Sequence, residues 1–173
     1  FTTAMTGYLE TLTDKSYAGQ AIVQTFPLIG NYGIIPEDVE SNMIGTSAYI
    51  VREWCDDPPN FRCTRDLDTY LKSRGIVGLC KIDTRALTRV LREHGTMNGL
   101  ITESPLNADL ELIKAYKCND PVSLVSTKKM YVEGNGKYKI ALLDFGMKEN
   151  ICRCLTKRDC TVYVFPSSTS VEE

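Results

Sequence analysis

Lys139-Ile-Ala-Leu-Leu-Asp144, then Phe145-Gly146, then Lys148 to Lys157, then Thr161 to Phe165 is the passage whose reading decides the architecture of this chain. The opening run is apolar and has the length of a strand buried on both faces, and the Phe-Gly pair supplies a tight turn. Lys148 to Lys157 reads as a helix and Thr161 to Phe165 as a second buried strand, so the passage is a βαβ unit. Such a unit cannot cover both faces of its strands unaided, and more of the sheet is expected beyond Glu173.

Immediately upstream, Lys128 to Lys139 is polar and carries Glu133-Gly-Asn-Gly136, which reads as the exit from one domain into another. The expected division is a first domain over residues 1–127, a linker over 128–138 and a second, incomplete domain over 139–173. Within the first domain, Gly19 to Phe26 suits a strand stopped by Pro27, and Gly30-Asn-Tyr-Gly33 turns the chain. Ala48 to Trp54 predicts another strand, with Tyr49, Val51 and Glu53 alternating against Ile50 and Arg52.

A helix is expected from Arg65 to Arg74, capped by Thr64 and stopped by Gly75, with Leu67, Tyr70 and Leu71 on one face. Ile76 to Ile82 follows as a strand. Asp83 or Thr84 then caps a second helix whose Leu87, Val90 and Leu91 are expected to face inward until Gly95. Leu100 to Thr102 reads as a strand, and Ala108 to Tyr116 as a third helix with acids early and lysines late, as the helix dipole prefers. Thr13-Asp-Lys-Ser-Tyr17 is read as a turn-forming loop. Ser168 to Glu173 reads as a capped helix that has only begun, and both ends look like cuts. Strand and helix in close succession imply layered α/β packing.

Composition narrows the function. The 173 residues hold 43% hydrophobic and 24% charged side chains with a net charge of -2, which lacks the basic field that nucleic acid or an acidic membrane surface demands. No apolar run approaches the ~20 residues of a membrane span, and a cytoplasmic protein is expected. Seven cysteines stand at irregular spacings with His94 as the single histidine, so reduced thiols are expected and no metal site is. Cys152 and Cys154 would point about 200° apart on a helix, too far to share one ion.

Asp144-Phe-Gly146 spells the magnesium motif of protein kinases, but no glycine-rich phosphate loop or His-Arg-Asp loop accompanies it. A strand-end aspartate with a glycine turn is the better reading. A catalytic pair of Cys80 and His94 has no support from spacing. Arg85, Arg89 and Arg92 recur at helical spacing and form a basic stripe, either a solvated surface or a docking face for an acidic partner.

Met5-Thr-Gly-Tyr8, Leu12-Thr-Asp14, Ser16-Tyr17, Pro27-Leu-Ile-Gly-Asn31, Gly75-Ile-Val-Gly78, Ile82-Asp-Thr-Arg-Ala-Leu-Thr88, Gly95-Thr-Met-Asn-Gly99 and Asp144-Phe-Gly-Met-Lys-Glu-Asn150 follow one another along the chain. In that order they resemble the small, glutamine-using subunit of carbamoyl phosphate synthetases. The resemblance implies a β/β/α swivelling-type amino-terminal domain followed by the first βαβ unit of a flavodoxin-like class I amidotransferase domain. It also implies hydrolysis of glutamine and delivery of ammonia to a large subunit, which uses ATP, magnesium and bicarbonate to make carbamoyl phosphate for arginine and pyrimidine synthesis.

The family's Cys-His-Glu triad is expected farther along than Glu173, so no catalytic residue and no cofactor are assigned to this chain. Ser16 matches the family position that reaches the bound glutamine, with Lys15 standing where a proline is usual. Met5, Asp14 and Lys148 lie in motifs that join the two domains and are implied to line the interdomain seam or the ammonia path. The alternative is a non-enzymatic protein-binding module working through Arg85, Arg89 and Arg92.

Overall fold

The computed structural model describes residues 1–43 and 45–170. The first unit is built from α1 (Tyr8–Thr13), β1 (Ala21–Val23), β2 (Leu28–Ile29), β3 (Ala48–Ile50), β4 (Glu53–Trp54), α2 (Leu67–Ser73), β5 (Val77–Leu79) and α3 (Thr84–His94). The short helices α4 (Leu110–Ala115) and α5 (Pro121–Val125) follow. The second unit comprises β6 (Tyr131–Glu133), β7 (Tyr138–Asp144), α6 (Glu149–Thr156) and β8 (Cys160–Pro166).

β1, β3 and β5 form a parallel sheet in that spatial order, and β2 and β4 a small parallel pair beside it. A central parallel strand is covered on both faces, and β3 holds that place. Accordingly Tyr49, Ile50 and Val51 are all buried, and the alternation expected across Ala48 to Trp54 is replaced by a two-sided core strand that breaks at Arg52 before β4. α1 and α2 bring Leu9 and Leu12, and Leu67, Tyr70 and Leu71, onto Ile22, Tyr49 and Ile76. Each fully buried aliphatic or aromatic side chain there contributes about 1.5–3 kcal/mol.

Asp66, not Thr64, caps α2, accepting the Thr69 N–H at 2.8 Å, and Gly75 takes the expected left-handed stop at φ 67°. Asp83 caps α3 by accepting from Ala86 N, and Gly95 ends it. The inward face of α3 departs from expectation: Thr84 and Thr88 are buried, whereas Val90 is 41% exposed and Leu87 and Leu91 only half-buried. No strand forms at Leu100 to Thr102, where Leu100 and Ile101 are exposed.

β7 and β8 run parallel in full register from Tyr138 opposite Cys160 to Asp144 opposite Pro166, with α6 between them in sequence. The polar stretch after Lys128 is more than a connector, because it contains β6, which pairs antiparallel with β8. α6 covers one face through Cys152, lying on Cys160, Val162 and Val164. On the other face Val132, Ala141 and Leu143 are exposed. Serines 167 and 168 form a turn after β8, and the remainder of the helix expected over Ser168 to Glu173 falls on 171–173, outside the described residues.

Candidate functional site

The two units meet along a charged seam centred on Asp144. The carboxylate ends β7 and is 1% exposed. Its Oδ1 accepts the Gly146 and Met147 N–H groups, each at 2.9 Å, and its Oδ2 accepts Thr127 N–H at 2.7 Å. Lys15 Nζ stands 3.8 Å from Oδ2. Burial pushes this carboxyl up, but the three backbone donors and the Lys15 ammonium outweigh it and hold the group below the usual carboxylate range. The role is structural capping, in keeping with a strand-end aspartate before a glycine turn. Gly146 sits at φ 100°, and a Cβ there would lie 2.7 Å from Val125 Cγ2.

A second set of contacts crosses beside it. Lys148, at the start of α6, places Nζ 3.2 Å from Asp14 Oδ2. Asp14 also accepts the Ser16 N–H at 2.9 Å, which closes the short helical turn Lys15–Tyr17. Burial raises the Asp14 carboxyl, yet the Ser16 backbone and side chain and the Lys148 ammonium together lower it. Lys148 is raised in turn, chiefly by its bond to Asp14. Glu149 N donates to Glu40 O at 2.9 Å, and Glu149 Oε1 accepts Asn42 N–H at 3.0 Å.

The structure therefore brings Asp14, Ser16 and Lys148 together, with Ser16 exposed at the rim. Met5 precedes α1 and is 67% exposed, and among the described residues it takes part in none of the seam's hydrogen bonds or ion pairs. Lys15, Glu40, Thr127 and Glu149 also belong to the seam, and nothing in the sequence assigns them a contact there. The only local signal was the Asp-Phe-Gly turn, because the partners of a long-range polar contact leave no periodic mark. Beside the seam opens a cleft of about 420 Å³ whose walls include Gly19, Met43, Cys118 and Val125. A smaller gap of about 90 Å³ under α2 is mostly apolar, with Asp68 and Cys80 in its lining.

Cys80 packs against the first core, while His94 Nδ1 lies 3.0 Å from the Val90 carbonyl. Cys152 is buried and its thiol is pushed up to about 11, first by burial and then by Glu133, Asp144 and Glu149, so it is protonated and unreactive at neutral pH. Among the described residues no three His, Cys, Asp or Glu side chains gather as metal ligands. No helix among them is long and apolar enough to cross a membrane.

Fold and site define an α/β chain in which a parallel-sheet unit is fastened through a charged seam to the edge of a βαβ unit. Residues 1–101 match the family described as carbamoyl-phosphate synthase small chain, CPSase domain, and the chain belongs to that family. It is 51% identical over 178 residues to the carbamoyl phosphate synthase small chain of Clostridium perfringens, a match covering all of this chain and 50% of that protein. It is 49% identical to the small chain of Bacillus anthracis, covering 48% of it. It is 48% identical to the pyrimidine-specific small chain of Halalkalibacterium halodurans, covering 49%. The chain thus spans about half the length of the curated relatives it matches.

Proposed function

We propose that the full-length protein is the glutamine-hydrolysing small subunit of a cytoplasmic carbamoyl phosphate synthase. It passes ammonia to a large subunit that consumes ATP, with magnesium and bicarbonate, to make carbamoyl phosphate for pyrimidine and arginine synthesis. On this reading the first unit is a swivelling-type domain that helps hold the large subunit, and β7–α6–β8 opens a flavodoxin-like amidotransferase domain. The observation that carries it is the Lys148–Asp14 pair with Ser16 at its rim, which sets a hydroxyl from the first unit beside the start of the second. Ser16 then supplies one wall of the glutamine pocket, and the nucleophile belongs to the half of the relatives' length that this chain does not span.

The test is glutamine-dependent synthesis by the full-length protein mixed with a large subunit. Ser16→Ala is expected to raise the KM for glutamine about tenfold, the loss of roughly one hydrogen bond to substrate, while ammonia-dependent synthesis is unchanged. Residues 1–173 alone are expected to hydrolyse no glutamine. Turnover by that segment, abolished in Cys80→Ser, would refute the reading.

A further inference from the structure

We propose that the cleft between one face of α3 and the loops at the end of the first sheet binds a phosphate group, either as inorganic phosphate or on a phosphorylated small molecule. The cleft measures about 340 Å³ and is walled by Arg52, Arg85, Arg89 and Arg92 together with Thr84 and Thr88. None of the four guanidinium groups lies within 4.0 Å of a carboxylate among the described residues. Arg85, Arg89 and Arg92 repeat at four and three residues along one helix, where like charges repel unless an anion lies between them.

The independent sign of a ligand is Thr88. It is 8% exposed, and its Oγ1 is buried with no hydrogen-bond partner. A helical threonine ordinarily returns its hydroxyl to a carbonyl one turn back, and a buried hydroxyl left unpaired is unfavourable. Thr88 lines a cleft whose other polar walls are mostly donors, with its hydroxyl just beneath the surface. Guanidinium forks match phosphate oxygens in pairs, and a hydroxyl completes a donor set around a tetrahedral anion. An acidic protein surface would be served by exposed arginines alone and has no use for a hydroxyl sunk at 8% exposure, so the small anion is the better fit. This site is separate from the seam and does not rest on the function proposed above.

Calorimetric titration of inorganic phosphate, and separately of ribose 5-phosphate, into the full-length protein at ionic strength fixed with sodium chloride tests it. Saturable binding with one site per chain is expected, weakened about tenfold or more by Thr88→Val and by Arg89→Gln. Thr88→Val removes only the unpaired hydroxyl, so its thermal midpoint should not fall, which separates lost binding from lost folding. Tighter binding of ribose 5-phosphate identifies a phosphorylated metabolite, and equal binding identifies the anion itself. Absence of saturable binding by both compounds, or binding unaltered in both variants, overturns the proposal. A glutamate-rich peptide that binds where both phosphate compounds fail overturns it in favour of a protein-docking surface.

Discussion

Oδ2 of Asp144 accepts the backbone N–H of Thr127 at 2.7 Å, fastening the end of β7 to the stretch that follows α5. With the two N–H groups of its own turn, this one carboxylate satisfies three partly buried donors. Replacing it by alanine orphans them all and strands Lys15. Asp144→Ala is therefore expected to destabilise the protein by on the order of 3 kcal/mol in urea unfolding. Asp144→Asn, which keeps an acceptor oxygen, is expected to lose less.

The seam carries an acid limit. Asp14 and Asp144 are both held below the ordinary value of 3.8 in the folded chain, so the unfolded chain binds more protons as the medium turns acid. Their stabilisation is complete above pH 3.8 and is lost as the pH falls through the lower folded values. Unfolding curves across that range should show stability falling with pH, and the double variant Asp14→Asn/Asp144→Asn should flatten the slope. An unchanged slope would remove these two groups as its source.

Gly146 tolerates no side chain for two separable reasons. Its φ of 100° strains any L residue, and an added Cβ would meet Val125 Cγ2 at 2.7 Å. Gly146→Ala is expected to cost about 2 kcal/mol or more. Adding Val125→Ala should recover the steric part alone, leaving a residual loss that measures backbone strain.

Thiol reactivity should follow environment. Cys118 is exposed, whereas Cys152 is buried with its thiol raised to about 11. Alkylation with iodoacetamide at pH 8, read by peptide mass spectrometry, should label Cys118 rapidly and leave Cys152 unlabelled until the protein is unfolded. Early labelling of Cys152 would show that α6 does not stay docked.

Much of the fold was legible because local chemistry and tertiary fate agree. In β7–α6–β8 the apolar runs, the glycine turn and the parallel register all lead to one arrangement. The same holds for α2, where the Leu67, Tyr70 and Leu71 stripe is the buried one. α3 misleads because its most apolar stripe is not its most buried. Thr84 and Thr88 face the rest of the first unit, and the face bearing Val90 is left to solvent.

α1 was illegible for a different reason. It has six residues and no side-chain cap at Gly7. The hydroxyl of Tyr32 instead accepts the N–H groups of Gly7 and Tyr8 at 2.8 and 3.1 Å, its ring stacked on Tyr8 with centroids 4.2 Å apart. A cap supplied from a distant turn leaves no sequence signature. Of the site, Ser16, Asp14 and Lys148 were reachable through family resemblance, while Lys15, Glu40 and Thr127 depend on how the units meet.

The uncovered side of the β7–β8 layer, with Val132, Ala141 and Leu143 bare, makes this chain adhesive. That face offers water a greasy plane, and two copies of this chain meeting there would each hide what the other leaves bare. Chaperones that recognise extended aliphatic surface have a ready target there. At high concentration such a surface favours clumping, which a charge placed at Leu143 would suppress.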